Sequence, residues 1–252
     1  MHILLTNDDG VFAPGIRALA EAFRGAGHRV SVCAPDRERS AASHSVTLAT
    51  DLHPKRLSAD WAERIWAVDG TPADCASLGL FLANAEEPVD MVAAGINRGM
   101  NLGGACVYSG TVGAALEAAM CGVQALAVSL CIDPSRSEPE DYGPAARAAL
   151  RVAEWMPAHP LPLGAMYNLN VPQLPYDRLR GIVPARLAPV FLDPPDYTPQ
   201  TGGGYRYRGM PRRFESPAYD TVLIEQGYVT LTKLTWDFRL NADDSELDGI
   251  PL

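Results

Sequence analysis

The sequence predicts an α/β protein in which helices cover both faces of a mostly parallel β-sheet. Short apolar runs alternate with segments of helical periodicity through the first 170 residues. The runs are almost continuously apolar, which is typical of strands buried on both faces. Polar or glycine-rich loops separate them, as in βαβ units. The predicted architecture is therefore a three-layer, Rossmann-like α/β/α fold, followed by C-terminal hairpins and loops.

The first strand–helix–strand unit starts at the N-terminus. Residues 2–6 form an apolar run that ends in a polar turn, and apolar positions from Ile16 onward recur at helical spacing. Gly25 and Gly27 end this helix. Residues 29–35, with the sequence RVSVCAP, then form the second strand, because they are rich in apolar residues and run into a polar loop.

The alternation continues as far as residue 170. The predicted strands of this stretch are 45–49, 65–68, 89–94, 125–130 and 165–170. The predicted helices are 73–82, 109–121 and 143–156. Because parallel strands need crossover connections, this order indicates one sheet with helices on both faces.

The composition changes near residue 180, where proline, glycine, tyrosine and arginine become frequent and no helical period is visible. One strand-like stretch, 227–234, lies within this region. We predict one structural domain overall. Its α/β core spans 1–180, and 181–252 form an extension of loops and hairpin arms, suited to an oligomer contact or an active-site wall, with a final strand and an acidic tail.

Composition excludes several classes of function. The net charge is −9, with two lysines beside nineteen arginines, which argues against a surface for nucleic acid polymers. No apolar run approaches the roughly 18 residues of a membrane helix, and MHILLTNDD lacks the basic start of a secretory signal. We therefore expect a cytoplasmic protein. Five cysteines without a CxxC pair argue against a disulfide framework and a zinc site.

Polar residues cluster where the predicted strands end. Asp8 and Asp9 follow the first strand, Ser40 lies in the loop after the second, and Asn97 and Asn101 follow the strand that ends near residue 94. In an open α/β sheet, ligands bind beyond the carboxyl ends of the strands. These residues are therefore expected along one edge of the sheet.

The adjacent carboxylates Asp8 and Asp9 repel each other unless one is protonated or a cation neutralises both. With oxygens from Ser40 and Asn97 they would form an oxygen-only site suited to Mg²⁺ or Mn²⁺. The alternative is that DDG is only a turn that caps a helix.

A second candidate element is the glycine-rich segment 95–104 and the helix start Ser109-Gly110-Thr111. Free amide hydrogens and hydroxyls at a helix N-terminus suit a phosphate group. The segment matches neither a P-loop nor a dinucleotide-binding fingerprint. Simple helix caps are the alternative for Ser109 and Thr111. His44 is either a satisfied or solvent-facing loop histidine or a general acid or base.

Several ordered motifs resemble those of the SurE (survival protein E) family of metal-dependent 5'/3'-nucleotidases. They are LLTNDDG (4–10), APDRERSAASHSVTL (34–48), GTPADC (70–75), GINRGMNLG (95–103), YSGTVGAALE (108–117), YNLNVP (167–172) and GYVTLT (227–232). The resemblance covers nearly the whole chain. It departs from the family at Gly104 and Ala105, where acidic residues are usual.

The resemblance implies a specific site and assembly. The family's metal-ligand positions correspond to Asp8, Asp9, Ser40 and Asn97, and its phosphate-binding elements to Asn101, Ser109, Gly110 and Thr111. The implied cofactor is one divalent ion per subunit, Mg²⁺ or Mn²⁺. The implied assembly is a homodimer or homotetramer formed through C-terminal arms.

The leading functional prediction is a phosphomonoesterase that converts nucleoside 5'- or 3'-monophosphates to nucleoside and phosphate, with short polyphosphate as a further substrate to test. Asp8 or Asp9 would accept a proton from the attacking water. One alternative is a receiver-like signalling module, because paired acids after the first strand also hold Mg²⁺ in such domains. Another is a dehydrogenase-like dinucleotide binder, which the missing glycine fingerprint argues against.

Overall fold

The computed structural model describes residues 1–133, 135, 139–189, 197–207 and 215–237. The strands of these residues are β1 (His2–Thr6), β2 (Arg29–Pro35), β3 (Lys55–Leu57), β4 (Arg64–Val68), β5 (Met91–Arg98), β6 (Gln124–Cys131), β7 (Ala165–Pro172), β8 (Ile182–Pro184), β9 (Tyr197–Pro199), β10 (Tyr205–Tyr207) and β11 (Val229–Thr235). The α-helices are α1 (Pro14–Gly25), α2 (Pro72–Asn84), α3 (Ala105–Tyr108), α4 (Gly110–Met120), α5 (Gly143–Trp155) and α6 (Asp220–Glu225).

Within the described residues, nine strands form one sheet in the order β3-β4-β2-β1-β5-β6-β7-β11-β8. The six strands from β4 to β7 in this order are parallel, whereas β3 and β11 pair antiparallel to their inner neighbours. β8 pairs parallel with β11, and β9 and β10 form a separate antiparallel pair. The predicted fold class, a mostly parallel sheet with C-terminal hairpin extensions, is confirmed.

The two faces of the sheet carry separate apolar clusters. Ile3 and Leu5 of β1 pack on one face with residues of α1 and α5. Leu4 points to the other face and packs with residues of α2 and α4. This alternation follows from the two-residue period of a strand, and it requires apolar residues at every position of a strand covered on both sides. The three-layer arrangement therefore follows from the apolar strands.

The strand predicted at 45–49 is wrong. The backbone N–H of Thr47 donates to Asp74 Oδ1 at 2.8 Å and its hydroxyl donates to Asp74 Oδ2 at 2.6 Å. These bonds fasten the segment to the start of α2 instead of to a neighbouring strand. Asp74 also completes the capping box of α2 with Thr71. β3, a short strand at the sheet edge, was not predicted.

The C-terminal extension contains one helix that was not predicted and one strand that was. α6 was not predicted, because its six residues are too few to show a helical period. β11 confirms the predicted last strand, and its pairing with β7 attaches the extension to the core sheet. The acidic tail at 241–249 lies outside the described residues, and the domain boundary at residue 180 stays a prediction.

Among the described helices, none combines the length and the apolar character needed to cross a membrane. All five cysteines are free, and Cys121 is exposed whereas the other four are buried. This agrees with the prediction that the cysteines form no disulfide framework and are mostly core residues.

Candidate active site

The candidate site lies at the carboxyl end of β1, where the strand order changes direction. β1 pairs with β2 on one side and with β5 on the other, although β2 and β5 are far apart in sequence. The loops after these two strands therefore diverge and leave a crevice above β1, which is where open α/β sheets bind ligands. Asp8 and Asp9 follow β1 after one residue, Asn7, and lie at this crevice.

The loop after β2 is bonded to the loop after β1. Val11 N–H donates to the carbonyl of Pro35 at 2.9 Å, and Arg39 N–H donates to the carbonyl of Asp8 at 2.7 Å. Gly10 has a positive φ of 100°, and a Cβ there would lie 3.2 Å from the carbonyl carbon of Arg37. The glycine of NDDG thus serves both the turn and the close approach of the two loops.

Asp8 is 5% exposed and contacts the start of α4. Its Oδ1 accepts a hydrogen bond from the hydroxyl of Thr111, which is fully buried. A Cβ placed on Gly110 would lie 2.9 Å from Asp8 Cβ and 3.0 Å from Asp8 Oδ2. The carboxylate and the helix start therefore pack in direct contact.

Asp9 is connected to the segment after β5. Its Oδ2 accepts the backbone N–H of Arg98 at 3.1 Å, and Arg98 directly follows the predicted metal ligand Asn97. A bulge in β5 between Ala94 and Asn97 turns this segment at the sheet edge. A Cβ on Gly95, within this bulge, would lie 2.3 Å from the carbonyl oxygen of Val128 in β6. The first residue of GIN is thus glycine because β6 leaves no room for a side chain.

The two carboxylates carry perturbed pKa values. Burial raises the pKa of Asp8 above its ordinary 3.8, and the hydrogen bond from Thr111 partly offsets this rise. Burial and the charge of Asp8 raise the pKa of Asp9 to about 6. In the described residues, neither carboxylate has a side-chain cation within ion-pair distance. The charge of Arg98 offsets the raised pKa of Asp9 only in part, so the two acids share a site without a side-chain cation in direct contact among the described residues.

Glu38 adds a third acid that the sequence did not identify as part of the site. Its charge contributes to the raised pKa values of both Asp8 and Asp9. Ser40 is exposed, and its hydroxyl donates to Glu38 Oε1 at 2.6 Å. No signal in APDRERS separates Glu38 from an ordinary surface acid, because its proximity depends on how the loop folds onto Asp8.

The sequence neighbours of Asn97 and Ser40 are bonded to the acid pair, since the backbone N–H of Arg98 donates to Asp9 and that of Arg39 to the carbonyl of Asp8. The side-chain nitrogen of Asn97 donates to the carbonyl of Gly99 at 2.9 Å, so its oxygen is the atom left to bind a cation. The described residues contain no group of three or more His, Cys, Asp or Glu suited to a metal ion. The candidate set is instead two carboxylates with neutral oxygens, which is a hard-cation donor set.

Ser109 is the N-cap of α4. Its side-chain oxygen accepts the N–H of Val112 at 3.1 Å, which leaves its hydroxyl hydrogen free to donate to a ligand. Ser109 therefore caps the helix, as the alternative predicted. A phosphate-binding role is compatible with this capping. Thr111 does not cap the helix but donates to Asp8.

Asn101 is held in a buried polar network between β6 and β7. Its side-chain nitrogen donates to Ser129 Oγ at 2.8 Å, and its backbone N–H donates to Asn170 Oδ1 at 2.9 Å. Its carbonyl oxygen accepts from the side chains of Asn168 and Asn170. The alternating asparagines of YNLNVP, polar residues in a buried strand, were the available signal for this network.

His44 is paired rather than free. Its Nε2 lies 2.8 Å from Glu117 Oε2, and Glu117 belongs to α4. The loop that carries His44 packs on the same helix, because a Cβ on Gly113 would lie 2.6 Å from the carbonyl oxygen of Ser43. This agrees with the interpretation of a satisfied loop histidine.

Comparisons with known proteins give a consistent result. The family model described as Survival protein SurE matches residues 3–191. A protein of Thermosynechococcus vestitus named 5'-nucleotidase SurE is 39% identical over 247 residues, covering 94% of this chain and 91% of that protein. A protein of Aeromonas hydrophila with the same name is 40% identical over 257 residues, covering 94% and 93%.

A solved structure supports the same relationship. The crystal structure of the SurE protein from Aquifex aeolicus superposes with a TM-score of 0.83 at 31% sequence identity, and the match covers 98% of both chains. The receiver-like alternative finds no support among these relatives.

Proposed function

Because the chain belongs to the SurE family, we propose that it is a nucleotidase that hydrolyses nucleoside monophosphates to nucleoside and inorganic phosphate. Relatives that align with 94% of the chain are named 5'-nucleotidases. The observation that carries the proposal is the contact of Asp8 with Gly110 and Thr111. It brings an acid pair and a helix N-terminus suited to phosphate into one crevice.

The acid pair is proposed to hold one divalent cation, Mg²⁺ or Mn²⁺, together with Ser40 and Asn97. The raised pKa values of Asp8 and Asp9 support this, because burial and the neighbouring acids disfavour two bare carboxylates at this place, and a bound cation would offset that cost. A bound divalent ion would supply positive charge to the phosphoryl oxygens and acidify the attacking water.

The protein's own groups are proposed to orient the substrate and move the proton. The N-terminus of α4 and the Ser109 hydroxyl face the phosphoryl oxygens. The side-chain amide of Asn101 donates one hydrogen to Ser129 and has a second hydrogen. We assign this second hydrogen to a phosphoryl oxygen of the substrate. Thr111 keeps Asp8 in place, and one carboxylate of the pair accepts the proton released by the water.

The test is a phosphate-release assay on nucleoside 5'- and 3'-monophosphates, short polyphosphate and an aryl phosphate, each with Mg²⁺, Mn²⁺ or EDTA. We expect hydrolysis with metal and none with EDTA. Asp8→Asn and Asp9→Asn should abolish hydrolysis while circular dichroism and the melting temperature show an intact fold. Wild-type protein that releases no phosphate with any metal would refute the proposed function.

Asp60→Asn is a matched control. Asp60 is exposed and precedes β4, at the amino edge of the parallel strands and so opposite the site. This variant should retain wild-type activity. An Asp8→Asn protein with full Mn²⁺-dependent activity would show that the metal and catalytic residues are assigned wrongly, even if the enzyme class is right.

The proposed assembly is a homodimer or homotetramer, and the proposed location is the cytoplasm. Light scattering on the eluting protein measures the assembly directly. A monomer at micromolar concentration that retains full activity would contradict the proposed assembly.

A further inference from the structure

Asp220, the first residue of α6, is a fully buried carboxylate outside the acid pair. Its Oδ2 accepts the backbone N–H of Gly103 at 2.7 Å, and its Oδ1 accepts the N–H groups of Ala188 and Thr221, both at 2.9 Å. Among the described residues no lysine, arginine or histidine forms an ion pair with it. Three backbone donors therefore stabilise the buried group.

These donors come from separate parts of the chain. Gly103 lies 117 residues before Asp220, in the loop that carries Asn101, whereas Ala188 and Thr221 belong to the C-terminal extension. The carboxylate therefore connects the loop after β5 to the extension. A neutral apolar residue would leave the Gly103 N–H without this acceptor, at a cost in free energy.

The same loop is held from its other side by β7. Asn168 and Asn170 donate to the carbonyl oxygen of Asn101, and the thiol of Cys106 also donates to it at 3.2 Å. Burial, with the nearby charge of Asp220, raises the pKa of Cys106 to about 12, so this thiol stays a neutral donor. Asn101 thus lies between two sets of buried anchors, one on β7 and one at Asp220.

We propose that Asp220 is a positioning residue for phosphate binding, and that it fixes the loop at 101–103 so that Asn101 faces the phosphoryl group. The inference rests on the proposed nucleotidase function. It assigns to the C-terminal extension an effect on substrate affinity that is exerted through Asn101. Asp220 itself touches neither the acid pair nor the proposed metal.

The test replaces Asp220 by asparagine, which has a similar shape but presents an N–H₂ group to the backbone donors. In Asp220→Asn we expect the inhibition constant of inorganic phosphate and the KM for nucleotide to rise by about tenfold. The Mn²⁺ concentration for half activation should stay within about twofold, because the acid pair is independent of this contact. Assays are run well below the melting temperature of each variant.

Glu225→Gln is the matched control, since Glu225 is an exposed acid on the same short helix. It should leave all constants unchanged. If Asp220 only stabilises the fold, Asp220→Asn will lower the melting temperature and the active fraction, while the phosphate inhibition constant and KM stay at wild-type values. That result overturns the proposal. Wild-type protein without phosphatase activity would instead overturn the proposed function.

A measurement on the wild-type protein covers the case in which Asp220→Asn does not fold. Hydrogen–deuterium exchange is followed with and without Mn²⁺ and inorganic phosphate. One carboxylate accepts from the N–H groups of Gly103, Ala188 and Thr221. Phosphate binding should therefore slow exchange in each of the three peptides that contain one of these residues. Slowing at Gly103 with no change at Ala188 and Thr221 would refute the coupling.

Discussion

Replacing Gly110 by alanine is expected to remove most of the activity at a modest cost in stability. The added Cβ would lie 2.9 Å from Asp8 Cβ, 3.0 Å from Asp8 Oδ2 and 3.0 Å from Pro72 Cγ. Comfortable contacts between such atoms are about 3.5–4.0 Å. Asp8 or the start of α4 must therefore move by roughly 0.5–1 Å, since Pro72 closes the opposite side.

The magnitude follows from this displacement. Overpacking of this kind costs about 1–3 kcal/mol of unfolding free energy. For a chain of this size, each kcal/mol lowers the melting temperature by roughly 2–4 °C. Misplacing a catalytic group by about 1 Å costs on the order of a hundredfold in rate. We therefore expect a folded protein whose kcat/KM is lower by about two orders of magnitude.

The assay compares Gly110→Ala with Gly25→Ala. Gly25 is the last residue of α1, and a Cβ there would have no neighbour within 4 Å. Gly25→Ala should keep wild-type activity and melt at the same or a slightly higher temperature. If Gly110→Ala has wild-type kcat/KM and wild-type Mn²⁺ dependence, the packing of Asp8 against α4 does not control catalysis.

Two further predictions concern the electrostatics of the acid pair. Thr111→Val removes the hydroxyl that donates to Asp8 and should lower kcat/KM by about tenfold. Thr50→Val, at an exposed threonine, is the control. An equal loss of kcat/KM in this control would show that the effect of Thr111→Val is not specific. The pKa of Asp9 is raised from 3.8 to about 6 without metal, so the folded protein binds more protons than the unfolded chain between these values. Protonation of Asp9 therefore stabilises the folded state at low pH, and this stabilisation is lost as pH rises through about 6. Mn²⁺ competes with the proton on Asp9, so the Mn²⁺ affinity measured by calorimetry should fall by up to about tenfold per pH unit below pH 6. A Mn²⁺ affinity that does not change from pH 5 to pH 7 would contradict the raised pKa of Asp9.

Local patterns predicted most of the sheet. β2 was predicted at the bounds it has, because RVSVCAP is apolar, β-branched and followed by a polar loop. The strand predicted at 45–49 shows where such patterns fail. Its residues have strand propensity, but Asp74 binds Thr47 from α2, and a tertiary hydrogen bond of this kind overrides a weak local preference.

The candidate site also contains residues that the sequence indicates and one that it does not. Asp8 and Asp9 could be chosen as candidates from the sequence, because adjacent acids after an apolar run are unusual and need compensation. The contribution of Glu38 could not, since it depends on the fold of one loop over another.

The sequence by itself predicted the parallel strands of the core and the helices between them, the apolar character of that core and Asp8 as a candidate site residue. All of these depend on residue type and on spacing along the chain. Only the tertiary structure decided that Asp8 contacts Thr111 and that Asp220 binds Gly103, across separations of 103 and 117 residues. Such contacts depend on strand order and on loop packing, which no local pattern encodes.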